Sequence, residues 1–193
     1  MSHDLRRYTT PRLRLEAPTP DDLDALHRIY ADERLWQHFP SQRHLGVTTT
    51  EELLESWLAA WEQDGLGPWL VRAAGGDGTV LGTCGCQLRG GVFWNLAYRF
   101  TVEAHGHGYA TESGREALRA ARDVNPSLPV VAYLVEHNTS SAKVAQRLGL
   151  QLQHRGPDAG NLDPAVVRVV YADRNLSAQQ LAAATAREGK NIA

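Results

Sequence analysis

Apolar residues alternate with charged ones at the start of the chain. Leu13, Leu15 and Ala17 are separated by Arg14 and Glu16 and preceded by Arg12, the period-two pattern of a half-buried strand. The pattern then changes. Thr19-Pro20-Asp21-Asp22 offers a capping hydroxyl, a proline at the first helical position and acids in the first turn, which predicts a helix burying Leu23, Leu26 and Tyr30 and ending before Pro40. A second helix should open at Thr48-Thr49-Thr50-Glu51-Glu52 and bury Leu53, Leu54, Trp57, Leu58 and Trp61, its tryptophans being core. Trp69 to Ala73, the turn Gly75-Gly76-Asp77-Gly78, and Thr79 to Gln87 predict a β-hairpin. Gly90-Gly91 turns the chain into a long strand, Val92 to Val102.

A helix over Gly108 to Val124 follows, its inward positions including Ala110, Ala117, Leu118 and Ala121, with Ala110 and Gly114 small enough for close approach to a sheet. Asn125-Pro126 ends it. Pro129 to Val135 is a short apolar strand of the kind buried on both faces, Asn138 to Leu148 a helix closed by Gly149, and Leu152 to Arg155 with Val166 to Tyr171 a last hairpin. The expected fold class is α/β (α+β). It is a mixed, mostly antiparallel sheet of about seven strands with flanking helices and one internal strand-helix-strand crossover.

Length and charge narrow the classes. The 193 residues, 42% of them hydrophobic, suit a single domain, with a core of about residues 12–172 and a tail, 173–193, holding one weak helix from Ser177 to Arg187 that should fray. The formal net charge of −2 provides no field for nucleic acid. The polar N-terminus and the absence of a long apolar run predict a cytoplasmic protein without a membrane partner. Cys84 and Cys86, two apart on a strand, should be a reduced, buried pair. Lys143 and Lys190 are the only lysines among 20 basic residues, which makes Lys143 conspicuous.

The candidate chemistry lies in Glu103-Ala104-His105-Gly106-His107-Gly108-Tyr109-Ala110, where a strand, a turn with two glycines and a helix succeed one another. The free N–H groups of a helix start carry roughly half a positive charge, and glycines let an anion approach closely. A P-loop is excluded because no such glycine precedes a lysine within the body of the chain, and a dinucleotide fingerprint lacks its third glycine, Thr111 standing there. His105 and His107 are two apart with no third ligand nearby, so no metal is expected.

The loop resembles the pyrophosphate loop of GNAT acetyltransferases, [RQ]-x-x-G-x-[GA], departing from it at Glu103. The continuation Tyr109-Ala110-Thr111-Glu112 is similar to the branch that includes ribosomal-protein N-terminal acetyltransferases. A second motif agrees: Asn138-Thr139-Ser140-Ser141-Ala142-Lys143-Val144, then Arg147-Leu148-Gly149-Leu150, resembles the branch's N-x-x-S-x-x-[VL] and [KR]-L-G-[FL].

The resemblance implies a sheet splayed between its fourth and fifth strands, with acetyl-CoA as co-substrate. Backbone from His105 through Gly106, His107, Gly108 and Tyr109 to Ala110, with Thr111 beyond, would hold the pyrophosphate. Phe100, Thr101 and Val102 would pair with pantetheine, Asn138 would bond its other side, and Lys143 would reach a nucleotide phosphate. The reaction implied is direct attack of a primary amine on the thioester in a ternary complex. Many relatives place a tyrosine acid where Ala145 stands; resemblance to the branch implies Ser141 as the proton donor instead, directly or through water, with close helix packing as its alternative role. Glu136 is the candidate base beside Glu103, His38 and His137. The acceptor, a peptide N-terminus or a small amine, would lie beneath the Trp36 to Leu45 segment; acids there would favour polycations, and an open neutral groove a peptide. A homodimer is compatible with this fold. The contrasting class is a catalytically weak acyl-CoA-binding sensor, suggested by Glu103 and the missing tyrosine.

Overall fold

The computed structural model describes residues 4–161 and 163–186. Eight strands form one sheet: β1 (Arg7–Thr9), β2 (Leu13–Glu16), β3 (Pro68–Ala73), β4 (Val80–Arg89), β5 (Phe93–Phe100), β6 (Val130–Val135), β7 (Gln151–Pro157) and β8 (Val167–Ala172). Their spatial order is β1-β2-β3-β4-β5-β6-β8-β7, antiparallel except where β5 meets β6. The strand beyond the seven expected is β1. Its three residues are half-buried or exposed with no apolar alternation, and only pairing with β2 defines them as a strand.

Helices α1 (Leu23–Tyr30) and α2 (Val47–Gln63) cover one face. A 3-10 turn at Pro20–Asp22 leads into α1, and the Thr19 N–H donates to the Asp22 carboxylate at 2.9 Å. Leu26, Ile29, Leu53, Leu54 and Trp57 are buried here with Leu70 and Val80. Full burial of each Leu or Ile stabilises by about 1.5–3 kcal/mol. Trp61 reaches round to the second core, where Cys84, Cys86, Trp94, Leu96, Ala117 and Ala121 pack beneath α3 (Tyr109–Val124). The two cysteines are free thiols with no exposed surface, and burial pushes Cys84 up to about 12.

Three expectations change. The strand expected to reach Val102 ends at Phe100, because Val102–Ala104 coils into a 3-10 turn that aims the chain at the glycine loop. Gly114 does serve a close approach, but to Leu148 rather than to the sheet: an added Cβ would sit 2.8 Å from that side chain. Lastly, the tail helix is docked. In α5 (Ala178–Thr185) Ala184 is buried, Gln180 donates to the Val92 carbonyl at 3.1 Å, and Arg168 donates to the Ala184 and Ala186 carbonyls. Hydrophobic periodicity is weak there, so polar contacts hold it. The expected Arg187 end lies outside the described residues.

The decisive irregularity is between β5 and β6. Their parallel ladder contains only Trp94↔Val130 and Asn95↔Val131, although β5 continues to Phe100 and β6 to Val135. Beyond Asn95 the strands part. The Thr101 N–H bonds Leu81 in β4, so strand alternation turns the N–H groups of Tyr98 and Phe100 toward the opening.

Candidate active site

The opening is flanked by two helix starts. At the first, Gly106 and Gly108 adopt φ of +79° and +78°, in the left-handed region that side chains disfavour, and the space where a Gly106 Cβ would stand is empty. From Gly106 to Ala110 the N–H groups have no backbone acceptor among the described residues. Five donors therefore surround the N-terminus of a 16-residue helix. The loop is braced from behind. Arg12 donates to the His107 carbonyl at 3.0 Å, pairs with Glu112 at 2.5 Å, and lies over the Tyr109 ring, on which His107 stacks. Burial raises the Glu112 carboxyl, but the bonds from Thr10 and Arg12 prevail and hold it below its ordinary range. On the inner side, His105 Nε2–H donates to the Phe100 carbonyl at 3.0 Å.

At the second start, Asn138 caps α4 (Thr139–Arg147): its Oδ1 accepts from the Ser141 N–H at 3.2 Å and the Ser140 hydroxyl at 2.9 Å. The Tyr98 hydroxyl, whose ionisation burial disfavours, donates to the Ser141 carbonyl at 2.8 Å. No partner engages the Ser141 hydroxyl among the described residues. Ala145 is fully buried in the core.

These elements enclose two cavities. The first, about 720 Å³, runs along both helix starts and is lined by Phe100, His105, Gly106, Gly108, Tyr109, Ala110, Thr111, Asn138, Ser141 and Lys143. Most of the predicted cofactor residues thus converge. Thr101, Val102 and His107 lie beside the lining. Its charged members are Arg34, Arg99, Lys143 and Arg147, with no carboxylate among them, in a protein of net charge −2. Glu103 is drawn off by Arg34 at 3.1 Å, and its own backbone N–H and that guanidinium hold its carboxyl below the usual range.

The second cavity, about 500 Å³, lies beneath Tyr30, Trp36, Phe39 and Gln42, as expected for an acceptor site, and extends to Tyr133, Asp158 and Arg168. His38, Tyr98, Arg99, Asn138 and Ser141 line both cavities and form their common wall. Burial, with Arg99 and His137 nearby, pushes His38 down to about 4, so its imidazole is neutral at physiological pH. Its carbonyl accepts from His137 Nε2–H at 2.9 Å. Glu136 is not brought to this wall: it forms a two-pronged ion pair with Arg155 at 2.5 and 2.8 Å, outside both linings, and that pairing lowers its carboxyl.

Sequence reasoning missed Tyr98, Arg99, Arg147 and the Arg12 brace. The strand period could have placed Tyr98 and Arg99 beside the loop. Nothing local signals that Arg12 reaches it. No group of three or more His, Cys, Asp or Glu able to hold a metal occurs among the described residues, and no described helix is long and apolar enough to cross a membrane.

The splayed sheet, glycine loop and capped second helix define an acetyltransferase fold, and the profile of the acetyltransferase (GNAT) domain matches residues 12–151. This chain belongs to the GNAT acetyltransferase family. An acetyltransferase of Agrobacterium tumefaciens superimposes with a TM-score of 0.69 at 25% identity, over 89% of this chain and 96% of that one. RimL, a ribosomal-protein alpha-N acetyltransferase solved with coenzyme A, gives 0.70 at 16%, over 86% and 95%. The microcin self-immunity acetyltransferase MccE, solved with acetyl-CoA and AMP, gives 0.67 at 12%, over 84% and 92%.

Proposed function

We propose that this protein transfers an acetyl group from acetyl-CoA to a primary amine by direct attack in a ternary complex, the acceptor being a peptide N-terminus or a small molecule. The observation that carries this reading is the common wall: two cavities meet along His38, Tyr98, Arg99, Asn138 and Ser141, so donor and acceptor can be bound together.

The residues present suit coenzyme A. Unengaged N–H groups from Gly106 to Ala110 fit a pyrophosphate, and Lys143 and Arg147 lie on the same carboxylate-free cleft for a further phosphate. The N–H groups of Tyr98 and Phe100 face the strand gap, where an amide-bearing arm adds like a strand. The Thr101 N–H is already engaged by Leu81, so Tyr98 takes the place expected of Thr101.

The thioester supplies an activated acyl group. During transfer the amine nitrogen bonds to the acyl carbon, the carbon–sulfur bond breaks, and the amine proton is lost while the sulfur gains one. Ser141, its hydroxyl unengaged on the common wall, gives the proton to sulfur; neutral His38, across that wall, receives the amine proton directly or through water. Glu136, neutralised by Arg155 outside both cavities, has no part in this scheme. Incubation with acetyl-CoA and a panel of amines, followed by thiol release and mass detection, tests the reading. An N-acetylated product is expected; saturable cofactor binding without turnover on any amine would instead support the sensor.

A further inference from the structure

The charges of the acceptor cavity do not balance. Its charged side chains are Arg99, Arg168 and Asp158, His38 being neutral. Arg168 and Asp158 neutralise each other at 2.7 Å with almost no exposed surface. That pair is also satisfied locally: Asp158 accepts from the Gly160 N–H at 3.0 Å, and Arg168 donates to the carbonyls at the end of α5.

Arg99 has no such partner. Its guanidinium lies 3.5 Å from the Trp36 ring centroid and 5.2 Å from that of Tyr30, and one amino group donates to the Leu35 carbonyl at 3.1 Å. Its Nε is shut from solvent with no hydrogen-bond partner, and no carboxylate is among the groups that perturb it. A partly buried guanidinium that has the Leu35 carbonyl and the Tyr30 hydroxyl beside it, but no anion, is incompletely compensated. Aromatic rings offset part of that cost and fix the group in place. Along β5 it shares a face with Asn95 and Ala97, toward Tyr30 and Trp36, on the wall that the two cavities have in common. No carboxylate in this cavity is free to hold a second ammonium group, so a polycationic acceptor is a poor match.

We infer that the acceptor is a primary amine that also carries an anionic group, a carboxylate or a phosphate, seated on Arg99. This rests on the amine-transfer reading above and names its substrate class. A charged oxygen on an arginine fork makes a strong, directional contact, and about 500 Å³ accommodates a small molecule or the first residues of a peptide.

The test uses matched pairs: β-alanine against β-alaninamide and the common amino acids against their amides for the carboxylate, and O-phosphoethanolamine against ethanolamine for the phosphate. Binding to the coenzyme A-loaded protein is measured by calorimetry, and turnover from acetyl-CoA on the same pairs. In at least one series the anionic member should bind tighter by about ten- to a hundredfold. Arg99→Gln should abolish the preference, while coenzyme A affinity, measured alongside because Arg99 also borders the cofactor cleft, should fall by much less than the anion preference; Arg99→Lys should retain part of the preference. Should Arg99→Gln fail to fold, the wild-type pairs and Arg99→Lys decide. Equal affinity within every pair, including none for either member, overturns the anion seat, as does a matching loss of coenzyme A affinity in Arg99→Gln. Anion preference without turnover on any amine overturns the transfer reading and leaves the seat standing; turnover without preference does the reverse.

Discussion

The cleft at the start of α3 and the cavity beneath Trp36 share a wall but are built differently. The cleft uses backbone: five consecutive N–H groups, two left-handed glycines and a helix axis, with cations and no carboxylate around them. The cavity uses side chains from distant elements: Tyr30 from α1, Trp36 and Phe39 from the loop after it, Arg99 from β5, Asp158 and Arg168 from the last hairpin. Backbone geometry recognises a chemical class common to many proteins, whereas a constellation of side chains can be exchanged residue by residue. In the proposed reaction the first region therefore holds a shared donor and the second an individual acceptor.

Gly108→Asp attacks the first region where it is least replaceable. The new side chain must adopt φ of +78° and brings a negative charge to the anion site, so acetyl-CoA affinity should fall on the order of a thousandfold in a calorimetric titration. Unchanged affinity would remove the loop from the account. Asp158→Asn attacks the floor of the second region. Arg168 would be left charged and buried, its side chain only 7% exposed, and chemical denaturation should show a loss of about 3–5 kcal/mol with cofactor binding retained at temperatures where the protein stays folded. Ser141→Ala acts on the common wall alone. Turnover should drop roughly a hundredfold while acetyl-CoA affinity holds; full turnover would make Ser141 a packing residue.

How much was legible follows the same division. Strand and helix periods gave the element order, since the core is made from the residues that set those periods, and the glycine loop and the Asn138 to Ser141 segment marked the two helix starts that flank the cleft because each segment is contiguous in sequence. β1 escaped notice because it has only pairing, not alternation, to define it. The α5 helix was expected to fray because its docking depends on Arg168, outside its own sequence. Glu103 suggested a defect in the loop, and the structure draws it to Arg34, 69 residues earlier. Glu136 suggested a base, and the structure pairs it with Arg155 outside both cavities. The last three concern polar contacts closed between residues 16 to 69 apart, which periodicity does not encode.

The central claim is that both substrates occupy the meeting cavities at once and the acyl group passes directly between them. Initial rates measured against acetyl-CoA at several fixed concentrations of an active amine test it most directly. Reciprocal plots that intersect are the predicted result; parallel lines, the mark of an acyl group first parked on the protein, would contradict it.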